Sequence, residues 1–293
     1  MANKLVIGNN KGGVGKTMST INIAGCLSKY YGKKVLVVDC DPSGNLTSVF
    51  IRDENGEYID PNWKDKACAF ILALRNYVST GSVTEDAVSA NVVHTRFPNI
   101  DLLPIPSKDE SKKGQRLIEG IAKLQNEAGE ETNTDIIYRQ FFDDVEDDYD
   151  YIIFDLPAGV DGLYCINALC VADLLLAPIS SDGDSISGGM LAIREMLNKA
   201  RPNNPKIALL GLFRSGCKDV SQWRETDKLF EQLPDGYKVP VKIRYSEILI
   251  AAKNKCLPAC YYREKTAACE DFVLLTEYVM RSFSDNFEGK KEV

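Results

Sequence analysis

Short runs of aliphatic and β-branched residues alternate along the chain with longer stretches whose apolar positions recur every three to four residues. This is the pattern of strands alternating with amphipathic helices. The runs at 5–8, 35–39, 100–103, 151–155, 174–178, 207–212 and 239–243 read as strands. Several are apolar at every position, which predicts strands buried on both faces. The expected architecture is therefore α/β, a doubly wound, mostly parallel sheet flanked by helices. Between the first two runs, residues 17–31 place Ile21, Ala24, Leu27 and Tyr31 on one helical face toward the sheet. A closing helix over about 266–283 aligns Ala268, Phe272, Leu275, Val279 and Phe283. Residues 52–98 are the least patterned, with turns at Asn55-Gly56 and Asp60-Pro61 and one helix near 67–77. No repeat or compositional break interrupts the chain, so a single domain over 1–293 is expected, with a short polar tail from about 284.

The chemistry sits at strand ends. After the first strand the chain reads Lys11-Gly12-Gly13-Val14-Gly15-Lys16-Thr17, followed by Met18 and the first helix. Strand, glycine loop and helix in that order form a phosphate cradle: glycines let backbone N–H groups turn inward, and the helix N-terminus adds partial positive charge. Lys16 is placed to reach the β- and γ-phosphates of a nucleoside triphosphate, and the Thr17 hydroxyl to ligate Mg²⁺. The second strand ends in Asp39-Cys40-Asp41-Pro42-Ser43-Gly44-Asn45. Two carboxylates at a strand end beside such a loop are where Mg²⁺ and an attacking water belong. Residues 151–155, four apolar positions closed by Asp155, form a Walker B pattern, with Asp155 expected to hold Mg²⁺ through a water.

Lys11, at the front of the loop, adds a second lysine that an ordinary phosphate loop does not need. With it, residues 11–17 resemble the deviant Walker A motif of the ParA/MinD family of ATPases. The resemblance implies ATP and Mg²⁺ as cofactors and an ATP-dependent homodimer in which Lys11 touches the partner's phosphates. The Asp39–Asn45 stretch resembles the family's Asp-x-Asp-Pro-x-Gly-Asn, with Ser43 where glutamine is common. By that match Asp41 orients the hydrolytic water and Asp39 supports the Mg²⁺ shell. Leu156-Pro157-Ala158-Gly159 resembles the switch whose backbone N–H senses the γ-phosphate. Residues 99–106 and 243–258 are similar to partition ATPases too, although the spacing to Pro258 is longer than usual. Where relatives place an adenine-reading polar residue, after the predicted strand 207–212, this chain has Phe213-Arg214-Ser215. Arg214 and Pro258 are the candidates for the base, whose identity as adenine is inherited from the family. Catalysis would rest on positioning and on charge neutralisation by Mg²⁺, Lys16 and Lys11. The single histidine, His94, lies in the poorly patterned region and has no evident partner. Slow turnover follows, below roughly 1 s⁻¹ for the isolated protein and raised by a partner.

Composition narrows the field. The 293 residues are 44% apolar and 26% charged, with no run long enough for a membrane span. The start leads straight into the first strand, so neither a leader nor an N-terminal accessory domain is expected. Nine cysteines in odd number, without a framework spacing, suggest reduced thiols in the cytoplasm. Cys165 and Cys170 read as core positions, and Cys256, Cys260 and Cys269 lack the paired spacing of an iron–sulfur site. The net charge of −7 repels nucleic acid overall, so DNA binding needs a local patch. Residues 236–265 supply one: seven Lys/Arg against two glutamates, whereas 127–150 hold ten acids and one arginine. The charge asymmetry alone is a weak signal. It is the ParA resemblance that implies non-specific DNA binding by basic residues of the C-terminal third. By that resemblance Lys242, Arg244, Lys253, Lys255, Arg263 and Lys265 are the candidates, with Arg244 and Lys253 foremost. Together these features point to a cytoplasmic, nucleoid-associated ParA-like ATPase that binds DNA non-specifically and partitions a plasmid or chromosome. Its partner would be a centromere-binding protein of the ParB type. The polar C-terminus argues against membrane docking. The alternatives are a MinD-like positioning ATPase on a protein or membrane scaffold and a metal-cluster or metabolic P-loop enzyme.

Overall fold

The computed structural model of the chain describes residues 1–106, 116, 119, 134–159, 162–180, 184–218 and 221–284. Its strands are β1 (Asn3–Ile7), β2 (Val35–Asp39), β3 (Val93–His94), β4 (Ile100–Leu103), β5 (Tyr151–Asp155), β6 (Leu174–Ile179), β7 (Ala208–Cys217) and β8 (Lys238–Arg244). They form one sheet in the order β3-β4-β2-β5-β1-β6-β7-β8. Every described pairing is parallel except the short edge pair β3–β4. The chain builds outward to β2, β4 and β3 on one side of β1, returns through β5, then crosses to β6, β7 and β8 on the other. That reversal opens a crevice at the C-terminal ends of the central strands, the place where doubly wound sheets bind ligands.

Two helical layers cover the sheet. One contains α1 (Lys16–Tyr31), α2 (Asn45–Phe50), α8 (Glu247–Asn254), α9 (Ala259–Tyr262) and α10 (Ala267–Ser284). The other contains α4 (Ile137–Phe141), α5 (Leu163–Val171), α6 (Asp184–Ala200) and α7 (Ser221–Glu231). Helix α3 (Trp63–Thr80) belongs to both, because Trp63 and Ala67 join the first core while Phe70, Ile71, Leu74 and Tyr77 join the second. The weakly patterned region 52–98 is thus a wrap around the β3–β4 edge, and its helix runs longer at both ends than expected. Its turn signals hid β3 and its mixed burial hid the amphipathic face.

Most predicted strands lie where the apolar runs put them, and β2, β4 and β5 match to the residue. Helix α1 differs in kind: Ser19 to Ser28 are all buried, because α10 covers the face that an ordinary surface helix leaves in water. The expected stripe of α10 is buried through Ala268, Phe272, Leu275 and Val279, and Phe283 meets Tyr151 edge-on at 5.8 Å. The largest departure is β7, which runs to Cys217 and contains a bulge at Gly211 (φ 145). A Cβ on Gly211 would sit 2.9 Å from Val239 Cγ2, so only glycine fits there. Much of the segment 107–133 lies outside the described residues, as does the polar tail beyond 284.

Candidate phosphate and metal site

β1, β2 and β5 end side by side. Ile7 pairs with Asp155 across β1–β5, and Asp39 pairs with Asp155 across β2–β5. The loop carrying Lys11, the segment Asp39–Gly44 and the segment Asp155–Gly159 therefore leave the sheet at one point. Asn9, fully buried, fixes the loop from behind: its Nδ2 donates to Pro178 O at 2.8 Å and its Oδ1 accepts from Lys11 N at 3.1 Å. Gly12 and Gly13 have open space around them, whereas Gly15 caps α1 in the left-handed region (φ 99). A Cβ on Gly15 would stand 2.5 Å from Ser215 Oγ, so β7 forms the far wall of the cradle. Val14 is buried beneath the loop, and Thr17 and Met18 are half-buried at the start of α1.

Lys16 is buried, and its ammonium donates to Lys11 O at 2.8 Å. Burial lowers its pKa, and Asp155 and Asp41 offset part of that fall. Gly159 N–H donates to Asn10 O at 3.1 Å. Two donors that would serve a phosphate are thus held on the loop's own carbonyls.

The carboxylates divide by role. Asp39 Oδ2 accepts from Thr47 N at 2.8 Å and Thr47 Oγ1 at 2.7 Å, and Oδ1 accepts from Asp41 N at 3.1 Å. It anchors α2 to the end of β2, and the Thr47 hydroxyl in turn accepts from Ile105 N at 3.1 Å. Burial pushes its pKa up to about 7, against the pull of those hydrogen bonds. Asp41 Oδ1 accepts from Ser43 N at 2.8 Å and shapes the turn into α2. Asp155 is fully buried; Oδ1 accepts from Thr20 Oγ1 at 3.1 Å, while Oδ2 accepts no hydrogen bond. Burial first, and the Asp39 charge next, push its pKa up to about 8, with the Thr17 hydroxyl acting in the opposite sense. A buried carboxylate oxygen without a donor, beside a threonine hydroxyl and a phosphate loop, fits a hard divalent cation or its bound water. Among the described residues there is no cluster of three or more His, Cys, Asp or Glu side chains that could hold a metal by itself. The donor set suits a cation shared with phosphate oxygens and water.

The two candidates for the base, Arg214 and Pro258, have partners within the fold. Arg214 lies inside β7, not after a strand, and turns to the layer opposite α1. It pairs with Asp227 at 2.8 Å and stacks over Phe230 at 4.4 Å. Its neighbour Ser215 is the residue against the loop. Pro258 is buried and packs on Gly25, whose added Cβ would meet Pro258 Cβ at 2.5 Å. Gly25 lies ten residues along α1 from Gly15, about 15 Å by helical rise, so Pro258 joins α1 to the C-terminal layer. Helix α8 occupies the stretch between β8 and Pro258.

The basic candidates are scattered. Arg244 is a structural clamp: its guanidinium makes bonds of 2.7–3.1 Å to Asp271 and one of 3.0 Å to Ala267 O, joining β8 to α10. Lys242, Lys255, Arg263 and Lys265 are exposed, and Lys253 is half-buried. Of these, Lys242 shares a cavity with Arg244. His94 has a partner after all, Asp101 Oδ1 at 2.9 Å, on the exposed β3–β4 edge far along the sheet from the loop. All nine cysteines are free, with Cys165 and Cys170 buried as expected. Among the described residues no helix is long and apolar enough to cross a membrane.

Comparison with known proteins agrees with this geometry. The AAA domain family profile matches residues 2–209. The sporulation initiation inhibitor protein Soj of Bacillus subtilis is 29% identical over 202 residues, covering 69% of this chain and 66% of that protein. The chromosome partitioning protein ParA of Myxococcus xanthus is 27% identical over 289 residues, covering 94% of this chain and 87% of the relative. Among solved structures, the septum site-determining protein MinD of Pyrococcus horikoshii, complexed with Mg-ADP, superposes with a TM-score of 0.69 at 18% identity, over 99% of this chain and 100% of that one. The chain spans 66% of the Soj protein's own length and 55% of that of a further bacterial relative.

Proposed function

The chain belongs to the ParA/MinD family of P-loop proteins, and on that premise we propose that it is an Mg²⁺-dependent ATPase that partitions DNA. The observation that carries the reading is the meeting of Lys16, Thr17 and the unpartnered Asp155 Oδ2 at one strand junction. Bound Mg²⁺ would neutralise charge on the β- and γ-phosphate oxygens, held by Thr17 and, through water, by Asp155. Asp39 serves from behind, as the anchor that keeps Asp41 and α2 at the mouth of the site. On nucleotide binding, Lys16 exchanges Lys11 O for phosphate oxygens, and Gly159 N–H exchanges Asn10 O for the γ-phosphate. Release of Lys11 O frees the loop front, so Lys11 can reach a partner protomer's phosphates. That exchange couples nucleotide state to homodimer formation. Asp41 then orients the water, and slow turnover follows from the lack of a strong base, with a ParB-type partner raising it.

Dimers would bind DNA non-specifically through cations of the C-terminal third, among which the exposed Lys242, Lys255, Arg263 and Lys265 and the half-buried Lys253 are available. Arg244 is withdrawn from that set by its clamp. The test is binding to a random-sequence duplex with ATP, with ADP and without nucleotide, using Asp41→Ala to hold the ATP state. Binding confined to the ATP state and lost in Lys11→Ala supports the proposal. ATP-dependent dimers that bind no duplex at any salt concentration overturn the DNA step and leave a MinD-like scaffold role.

A further inference from the structure

The C-terminal ends of β7 and β8 enclose a cavity of about 510 Å³. Lys218, Arg224, Lys242 and Arg244 line it, with Tyr245 as an aromatic wall and Asp227 as the acid among its lining residues. Two of these charges are balanced within the fold: Arg244 by Asp271, and Asp227 by Arg214. Lys218 and Lys242 are exposed, and no described carboxylate stands within ion-pair distance of either. An acidic chain therefore keeps uncompensated positive charge inside a concave surface, where low-dielectric walls strengthen its field.

The cavity is built, not incidental. Tyr245 N–H donates to Cys217 O at 2.8 Å, tying the two strand ends together. The Lys218 ammonium rests 3.8 Å from the centroid of the Tyr245 ring. That contact holds a cation over the opening, so less side-chain freedom is lost when an anion binds. Neither lysine is used by the phosphate loop, which meets β7 at Ser215 instead. We propose that this cavity is a second phosphoryl-anion site, separate from the loop of Lys16. Two exposed ammonium groups, Lys218 and Lys242, lining one concave space match an anion with many oxygens, such as a diphosphate, better than a single carboxylate. The phosphoryl group can belong to a small phosphorylated ligand or to a polynucleotide backbone, and the inference stands without the partition reading.

The probe is inorganic pyrophosphate, titrated calorimetrically into the full chain. Lys16→Ala removes the affinity of the loop and should leave one class of site. Adding Lys218→Glu and Lys242→Glu in that background should weaken the remaining binding at least about tenfold, and neutral Lys218→Gln with Lys242→Gln several-fold. The neutral pair keeps the test usable if charge reversal prevents folding, which a melting curve reports. Loss of all pyrophosphate binding in Lys16→Ala alone, or residual binding indifferent to both lysine pairs, overturns the proposal. A salt series with a random-sequence duplex identifies the source. If the lysine pair lowers the log–log salt slope by about two, the ligand is a nucleic-acid backbone. An unchanged slope with pyrophosphate binding lost assigns the cavity to a small phosphorylated molecule.

Discussion

The ends of β1, β2 and β5 and the ends of β7 and β8 lie on the same edge of one sheet, yet they hold charge in opposite ways. At the inner ends Lys16, Asp39 and Asp155 are buried, and burial displaces all three from their ordinary ionisation. Each is fixed by a short-range partner: a loop carbonyl, the Thr47 hydroxyl and amide, the Thr20 hydroxyl. At the outer ends Lys218 and Lys242 are exposed, and Arg244 faces solvent while gripping Asp271. Buried charge interacts strongly over short distances and demands a ligand that completes it, which suits an all-or-none phosphate and metal site. Exposed charge is screened by salt and tolerant of geometry, which suits graded recognition of anions. On the functions proposed, one sheet edge would carry a chemical switch and an ionic surface two strands apart.

The contrast breaks most readily at Lys16. Lys16→Ala should lower affinity for ATP by about 100-fold or more, roughly 3 kcal/mol, because among the described residues no other buried cation stands at the loop. Titration with a fluorescent ATP analogue measures it, and a loss below threefold would mean that the outer cations carry the phosphates. Next comes Thr47→Val. Removing the hydroxyl leaves the buried Asp39 carboxylate short of one donor and Ile105 N–H without its acceptor. A cost of about 2–3 kcal/mol is expected in urea unfolding, with nucleotide affinity falling as α2 loosens. Unchanged stability would show that Asp39 is no anchor and restore it as a free metal ligand.

Gly25→Ala examines the seam between the loop helix and the C-terminal layer. Its new Cβ would fall 2.5 Å from Pro258 Cβ and 3.0 Å from Cys260 Sγ. Overpacking of this kind costs about 1–3 kcal/mol. If Pro258 is a packing residue, stability falls and the ATP-over-GTP preference stays constant. A shift in that preference at unchanged stability would return Pro258 to the base.

What the sequence disclosed follows the same division. That the glycines, Lys16, Thr17, Asp39 and Asp155 meet at one strand junction was legible because glycine loops and strand-end carboxylates recur at fixed spacing, and β-branched runs set the strands beneath them. The outer ends were misread for a local reason. In β7, Leu210 and Phe213 face α1 while Leu209 and Leu212 face the other layer, so one residue, Gly211, is inserted into the alternation. Without that bulge the simple period of two would turn Arg214 toward the phosphate loop, as expected for a base reader. With it, Arg214 meets Asp227 and Ser215 takes the place beside Gly15. Nothing in a glycine among apolar neighbours announces a change of face. Arg244 was misjudged because its acid, Asp271, lies on α10, far along the chain. A charge run reads as free only until the fold supplies its partners.

Arg244 and Lys242 offer the finest comparison, since they share a strand and a cavity but differ in what holds them. Arg244→Gln should lower the melting temperature, because Asp271 is buried and loses the guanidinium that neutralises it. Lys242→Gln should leave melting unchanged and reduce the log–log salt slope of duplex binding by about 0.9, the contribution of one phosphate contact. Identical salt slopes for the two variants would erase the distinction between clamp and ligand cation. Parallel melting curves and salt series on the same preparations decide it, because a clamp acts on the folded state whatever the ligand, whereas a ligand cation acts only when an anion is there to meet it.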